Sequence, residues 1–259
     1  MTLPLQNRLW CLAVAVSGVL ALPIGAGAAE PSIDQMLSLR RAGGPAVSPD
    51  GRFVAYTVRD TDLVGNRYVT QVWLAEVSTR SSRALTSGAR SNTAPAWSPD
   101  GGKLAFLSER GDKRQVWLLD MRGGEPEKVT ATEEGVTAFA WSPDGGRIAY
   151  TAPEGRDDAR KARDKRYGEL ERGDDRGYAH LWWLELGGAR AKRLTSGALA
   201  VGEFSWSPGG KAIAFDHQAD AALASDSTKD ISVVELESGK VRSLVTCRGP
   251  DAHPKWSPD

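Results

Sequence analysis

The sequence predicts an all-β fold, namely a β-propeller of four-stranded blades. A phrase spelled Trp-Ser-Pro-Asp-Gly, or a close variant, recurs along the chain, and each copy precedes a similar run of short β segments. The copies begin at Val47, Trp97, Trp141, Trp206 and Trp256, at intervals of 50, 44, 65 and 50 residues. A propeller blade repeats at roughly 40–45 residues. We therefore expect four blades and the first strand of a fifth within residues 45–259.

Residues 94–130 show the plan of one blade. The phrase itself is a turn: Pro99 presets φ, Asp100 bonds back to nearby backbone, and Gly101 adopts the backbone conformations that close the turn. Four strands are predicted around it: Ala94–Trp97, Lys103–Leu107, Gln115–Leu119 and Glu127–Thr130. The second strand is almost wholly apolar, as expected where both faces are covered. The tryptophans recur at matched positions, so we expect most of them in the core, facing the next blade.

The repeated acids Asp50, Asp100 and Asp144 allow two interpretations. They could line a channel as a carboxylate ring, or they could only close turns. Each stands at the same offset from a glycine, and Gly209 replaces the acid in the fourth copy. A turn tolerates that replacement better than a functional ring does, so the turn is favoured.

The third interval is long because of one insertion, residues 156–176. Of its 21 residues, eight are basic and seven are acidic. It falls between the second and third strands of the third blade. Mixed charge favours a solvated loop or short helix, while a lip over one mouth of the propeller is the functional alternative.

The N-terminus resembles an export signal. One cation, Arg8, precedes an apolar stretch from Leu9 to Ile24, and Ala26-Gly27-Ala28 fits a cleavage site. We predict a signal peptide over residues 1–28, with a retained membrane anchor as the alternative, and an exported, periplasmic or secreted protein. Residues 29–44 should form a short helix and linker, since Ser32 and Gln35 spell a capping box.

Composition and motifs exclude several functions. The formal net charge of +0 gives no electrostatic case for nucleic acid or an anionic membrane surface. The chain has no Gly-x-Ser-x-Gly, His-Glu-x-x-His, phosphate-loop or Cys-x-x-Cys motif. We therefore assign no catalytic, cofactor-binding or metal-binding residue, and predict no cofactor. A small-molecule enzyme with a metal in the central channel is a weaker alternative, because no histidines or acids cluster outside turns.

The three histidines are solitary in sequence and are interpreted as structural. His180 enters an apolar strand, so packing is favoured over catalysis. His217 is placed in a loop at a blade end rather than at a metal, and His253 precedes the fifth phrase where Pro95 precedes the second. Cys11 lies in the signal, which leaves Cys247 alone in the remainder; burial as a small hydrophobe is the expectation.

The repeated Trp-Ser-Pro-Asp-Gly-x-x-Ile/Leu-Ala-Phe/Tyr spelling resembles the propeller repeat of TolB-like periplasmic proteins and of the prolyl oligopeptidase family of serine peptidases, family S9. Two stretches favour the dipeptidyl aminopeptidase and acylaminoacyl-peptidase branch of the peptidases: Leu37–Tyr56, directly after the signal, and Arg67–Leu74. The charged insertion that runs into Tyr178–Trp182 is also similar to that branch.

The resemblance implies a function that the residues alone do not. In that family a propeller caps a C-terminal α/β-hydrolase domain with Ser, Asp and His, and limits entry to short peptides. This chain would then be the N-terminal, substrate-gating part of a longer exported peptidase. It lacks the catalytic domain and should be inactive alone. The alternative is a non-catalytic TolB-like propeller that binds a protein partner.

Overall fold

The computed structural model describes residues 30–155, 162, 166, 178–188, 190–219 and 228–258. The chain divides into two compact units, Met1–Leu37 and Ser38–Asp259. The predicted signal peptide, residues 1–28, lies outside the described residues, as does nearly all of the charged insertion. Within the part that is described, no helix is long and apolar enough to cross a bilayer.

The first unit contains helix α1 (Ile33–Leu37). Its predicted capping box is confirmed. The backbone N–H of Ser32 donates to Gln35 Oε1 at 2.9 Å, and the backbone N–H of Gln35 donates to Ser32 Oγ at 3.2 Å.

The described residues of the second unit form four antiparallel sheets, each with four strands in chain order, which confirms the predicted blades. Blade 1 has β1 (Arg41–Val47), β2 (Phe53–Asp62), β3 (Arg67–Glu76) and β4 (Ser81–Ala84). Blade 2 has β5 (Asn92–Trp97), β6 (Lys103–Ser108), β7 (Gln115–Asp120) and β8 (Glu127–Lys128). Blade 3 has β9 (Ala138–Trp141), β10 (Arg147–Pro153), β11 (Ala179–Glu185) and β12 (Lys192–Arg193). Blade 4 has β13 (Ala200–Trp206), β14 (Ala212–Gln218), β15 (Asp230–Glu235) and β16 (Val241–Val245).

The blades stack face to face, with their first strands innermost. Strand β1 contacts β5, β5 contacts β9, and β9 contacts β13. Successive residues of a second strand point to opposite neighbours. In β6, Leu104 and Phe106 pack towards blade 1, whereas Ala105 packs towards blade 3. This two-sided burial explains why the second strands are almost continuously apolar.

The tryptophans of the repeated phrase join consecutive blades. Each indole N–H donates to the backbone carbonyl that stands just before the phrase of the preceding blade. The bonds are Trp97 to Ala46 (2.9 Å), Trp141 to Ala96 (3.1 Å), Trp206 to Ala140 (3.3 Å) and Trp256 to Ser205 (2.9 Å). The indoles therefore face the preceding blade rather than the next one. Val47, which stands where the later copies have tryptophan, is 62% exposed.

The turns of the phrase also contact one another from blade to blade. Gly145 has φ of +70°, and a Cβ there would lie 3.3 Å from Pro99 Cδ of the preceding turn. Gly101 stands in the same relation to Pro49, at 3.4 Å with φ of +71°. The glycine thus serves both the left-handed backbone and the close approach of the neighbouring proline.

We expect Gly145→Ala to lower the free energy of unfolding by about 1–2 kcal/mol, because alanine is strained at positive φ and its methyl group would press on Pro99. Urea denaturation measures the effect. Gly209→Ala is the matched control, since Gly209 lies in the fourth turn, is not at positive φ and has no atom within 4 Å of an added Cβ. Equal losses in the two variants would contradict the prediction.

Two strand predictions need correction. Strand β1 begins at Arg41, inside the predicted linker, because Gly43 pairs with Thr57 of β2, and Gly44 and Pro45 form a bulge instead of ending a helix. The predicted first strand of a fifth blade is not a strand: residues 251–258 have no regular structure. The inner strand of each blade pairs with the second strand, and the described residues offer no such partner there.

Candidate functional site

The repeated aspartates close turns, as predicted. In the first three copies, the serine hydroxyl donates to the aspartate at 2.5–2.6 Å. The same carboxylate oxygen accepts a backbone N–H two residues later at 3.0 Å. These bonds occupy the carboxylates locally, and they hold the pKa values of Asp50, Asp100 and Asp144 below the ordinary range, the serine bond being the largest cause in each. The acids therefore stabilise turns.

The turn of blade 3 gives a pH-dependent prediction. A carboxyl whose pKa is lowered by folding contributes stability above its ordinary pKa, and loses it as pH falls through the lowered value. We expect Ser142→Ala to bring the pKa of Asp144 back towards normal, although Arg147 Nη2 still donates to it at 2.9 Å. The loss of stability below about pH 4 should then become shallower.

Acid unfolding followed by fluorescence measures this slope. Ser207→Ala is the control, because Gly209 replaces the aspartate in that turn, and Ser207 Oγ itself accepts the backbone N–H groups of Lys211 and Ala212. The slope should not change in that variant. A change of the same size in both would refute a role for the carboxylate.

His180 is structural, as its sequence context predicts. It lies in β11 and is 1% exposed. Its Nδ1 is 3.2 Å from Thr195 Oγ1, which also accepts the backbone N–H of Leu181 at 2.9 Å. Thr130 makes the same pattern in blade 2, where its hydroxyl donates to Gln115 Oε1 at 2.7 Å. By analogy, the threonine donates to Nδ1, which leaves the proton of the neutral imidazole on Nε2.

His217 lies within β14, not in the loop that its sequence context predicts. Its Nε2 is 2.7 Å from Ser232 Oγ, a distance that a nucleophile and its base also adopt. Ser232 is 3% exposed, however, so a substrate has no access to its hydroxyl. The pair is a cross-strand hydrogen bond, and burial lowers the pKa of His217.

An acidic cluster on the first two strands of blade 4 was not predicted. Asp216 is 1% exposed, and its two oxygens accept the backbone N–H groups of Glu203 and His253, both at 3.2 Å. Gly202 makes room for it, because a Cβ there would collide with Asp216 Oδ1. The Glu203 and His253 side chains then meet at 2.9 Å, exposed by 58% and 72%.

This cluster joins blade 4 to the segment after it. The bond to His253 lowers the pKa of Glu203. His253 thus has a structural backbone, at φ of +58°, but an exposed side chain. The sequence contains only two weak signs of this cluster. Asp216 stands where blades 1 and 3 have Thr57 and Thr151, and Gly202 lies two residues before an aromatic residue of an inner strand.

Two further expectations concern reactive and metal-binding groups. Cys247 is exposed rather than buried, because it lies just after the outer strand β16. Among the described residues, no group of three or more His, Cys, Asp or Glu side chains is placed to hold a metal ion.

Comparison with protein families decides the classification. The family described as the TolB beta propeller domain matches residues 36–169, slightly more than half of the chain. The chain belongs to this family. The family match and the structure thus both agree with the predicted TolB-like propeller.

The curated relatives that match this TolB-type propeller include peptidases. It is 28% identical over 253 residues to dipeptidyl-peptidase 5 of Porphyromonas gingivalis, covering 86% of this chain and 36% of that protein. It is 35% identical over 83 residues to the uncharacterized peptidase YuxL of Bacillus subtilis, covering 32% of this chain and 13% of YuxL. The matches thus span about a third or less of these relatives.

The solved structures agree on the fold. Acylaminoacyl peptidase of Pyrococcus horikoshii superposes with a TM-score of 0.59 at 18% identity, covering 82% of this chain and 33% of that one. The chain is a propeller domain that resembles the N-terminal part of S9 dipeptidyl and acylaminoacyl peptidases.

Proposed function

We propose that this chain is the substrate-gating propeller of an exported S9-type serine peptidase that acts on short peptides. One observation carries the proposal: the similarity to dipeptidyl-peptidase 5 covers 86% of this chain but only 36% of the relative. The relative has ample further length for a second domain. In this proposal that domain is a C-terminal α/β-hydrolase domain, which supplies the Ser, Asp and His of the catalytic triad.

Gating would work by exclusion. The indole bonds and turn contacts hold neighbouring blades together near the axis, so a folded protein cannot pass between them. Three residues before the repeated phrase, blades 1 to 3 carry the small residues Gly44, Ala94 and Ala138. At the same position blade 4 carries Glu203 and the segment after it carries His253, and these two side chains form a pair. A short peptide entering along the axis would meet small residues on one side and a polar pair on the other. The ring would also limit the access of water to the proposed catalytic domain, which would favour the peptidase reaction there.

The test compares this chain with the longer product of its gene. The chain alone should not hydrolyse aminoacyl- or dipeptidyl-nitroanilides. A product that extends past Asp259 should hydrolyse them and be inactivated by a serine-directed organophosphate, and it should cleave short peptides but not folded proteins. Serine-reagent-sensitive turnover by the chain alone would refute the proposal, as would a longer product without peptidase activity.

The family match also favours a second candidate, a non-catalytic TolB-like propeller that binds a protein partner in the periplasm. The coding sequence beyond Asp259 separates the two. Further blades followed by Gly-x-Ser-x-Gly, then Asp and His, support the peptidase; a stop after the sixth or seventh blade supports the binding module. Both candidates place the protein outside the cytoplasm, so N-terminal sequencing of the mature protein should find residue 29 first.

A further inference from the structure

The interface between blades 2 and 3 opens at its outer side into a cavity of about 780 Å³. One wall is the segment that links the two blades, residues 129–133, and the other is one face of blade 3. Small-molecule sites have volumes of roughly 300–1,000 Å³. The cavity is therefore large enough for a ligand of two or three residues.

The floor of the cavity is a rigid aromatic layer. The rings of Tyr150 and Trp182 are parallel within 7°, with centroids 6.5 Å apart, and Leu184 lies beside them. The guanidinium of Arg193 covers Trp182 at 5.8 Å from the ring centroid. Tyr150 is 2% exposed and Leu184 is 8% exposed, so this floor is held by the core between the blades. The apolar surface that a ligand can reach is therefore that of Trp182, which is half-buried and rests on this core.

One end of the cavity carries a carboxylate whose geometry is fixed. Glu154 Oε1 lies 2.6 Å from Arg193 Nη2 and 3.0 Å from Nε2 of His180, the fully buried imidazole that also lines the cavity. The His180 contact is close but is not a hydrogen bond, since Nε2 has no hydrogen-bond partner among the described residues, so the Arg193 guanidinium is the donor that holds Oε1. No donor of the described residues bonds to Glu154 Oε2, so this oxygen can accept a bond from a ligand.

A second cation, Arg190, also lines the cavity. It is exposed and forms no ion pair with any described residue. The cavity therefore combines an available carboxylate oxygen, an available guanidinium and an apolar floor. Hydrogen bonds between charged groups are the strong and selective ones. A ligand with an ammonium group, a carboxylate and an apolar side chain matches all three features.

We propose that this cavity binds free dipeptides or tripeptides with an apolar side chain, with the ammonium group on Glu154, the carboxylate on Arg190 and the side chain on Trp182. The site lies at the outer side of the ring, away from the inner strands. It does not depend on the gating function, because it needs only the propeller. In a peptidase, such a site would sense short products.

The test is isothermal titration of the full chain with Ala-Phe, N-acetyl-Ala-Phe and Ala-Phe amide. Ala-Phe should bind in the roughly millimolar range or tighter. Blocking either end should weaken binding about tenfold, since each block removes one charge-assisted contact. Absence of Ala-Phe binding, or equal affinities for the three probes, would overturn the inference.

Variants then assign each end of the ligand. Glu154→Gln should weaken the binding of Ala-Phe about tenfold but leave the affinity for N-acetyl-Ala-Phe unchanged. Arg190→Gln should likewise weaken the binding of Ala-Phe about tenfold but leave the affinity for Ala-Phe amide unchanged. Arg190 is exposed and makes no ion pair with a described residue, so its variant should fold normally even if Glu154→Gln does not. Glu185→Gln and Arg242→Gln are the controls, since both residues are exposed, lie outside the cavity and should leave all affinities unchanged. Binding that neither cavity variant alters would place the peptide elsewhere.

Discussion

Replacing Trp206 with alanine should lower the free energy of unfolding by about 3–5 kcal/mol. Trp206 is 8% exposed and belongs to the apolar cluster between blades 3 and 4. Its indole N–H also bonds to Ala140 of the preceding blade, so truncation removes both the packing and the joint between blades. Urea unfolding of the two proteins measures the difference.

Two further variants separate packing from the hydrogen bond. Trp206→Phe keeps an aromatic ring but removes the donor, and should lose about 1–2 kcal/mol. Tyr68→Ala removes an aromatic side chain that is 55% exposed, and should lose less than about 1 kcal/mol. If Trp206→Ala loses no more than Tyr68→Ala, the blades are not joined in the way described.

Replacing Gly202 with alanine should lower the free energy of unfolding by about 1–3 kcal/mol, because the added methyl group would collide with one side chain, that of Asp216. The added methyl group would overlap Asp216 Oδ1 and push the carboxylate away from the N–H of Glu203. Asp216→Ala should itself lose about 1–3 kcal/mol, because the N–H groups of Glu203 and His253 lose their acceptor.

A double-mutant cycle decides whether the collision is the cause. In the Asp216→Ala background, Gly202→Ala should lose less than about 0.5 kcal/mol, since the oxygen it would strike is gone. Gly209→Ala, in the turn after β13, is the control and should behave alike in both backgrounds. Additive losses from Gly202→Ala and Asp216→Ala would show that the glycine serves another purpose.

The repeat made the blades predictable from sequence. Interval and turn chemistry alone located all four sheets, because Ser142, Asp144 and their equivalents act within a few residues of one another. The capping box at Ser32 and the packing of His180 were predictable from equally local patterns. The start of β1 was missed for the opposite reason. The local pattern Gly43-Gly44-Pro45 is typical of the end of a helix, but pairing with the distant strand β2 makes it part of a bulged strand.

The site residues depend on contacts that local patterns do not contain. Asp216 and His253 are 37 residues apart, and they meet only because the segment after blade 4 packs against that blade. Glu154 and Arg193, 39 residues apart, meet because β10 and β12 flank β11 in one sheet. Cys247 was expected in the core on residue type alone, but its place after an outer strand leaves it exposed.

Indole hydrogen exchange tests the joining of the blades most directly. The protein is labelled with ¹⁵N-tryptophan, and the reference is Trp73, a half-buried tryptophan of β3 whose indole donates no hydrogen bond to any described residue. The indole N–H groups of Trp97, Trp141 and Trp206 should exchange at least about tenfold more slowly than that of Trp73. Exchange of the three at the rate of Trp73 would mean that the repeated phrase does not bind blade to blade, and would contradict the radial stack from which the gating role is argued.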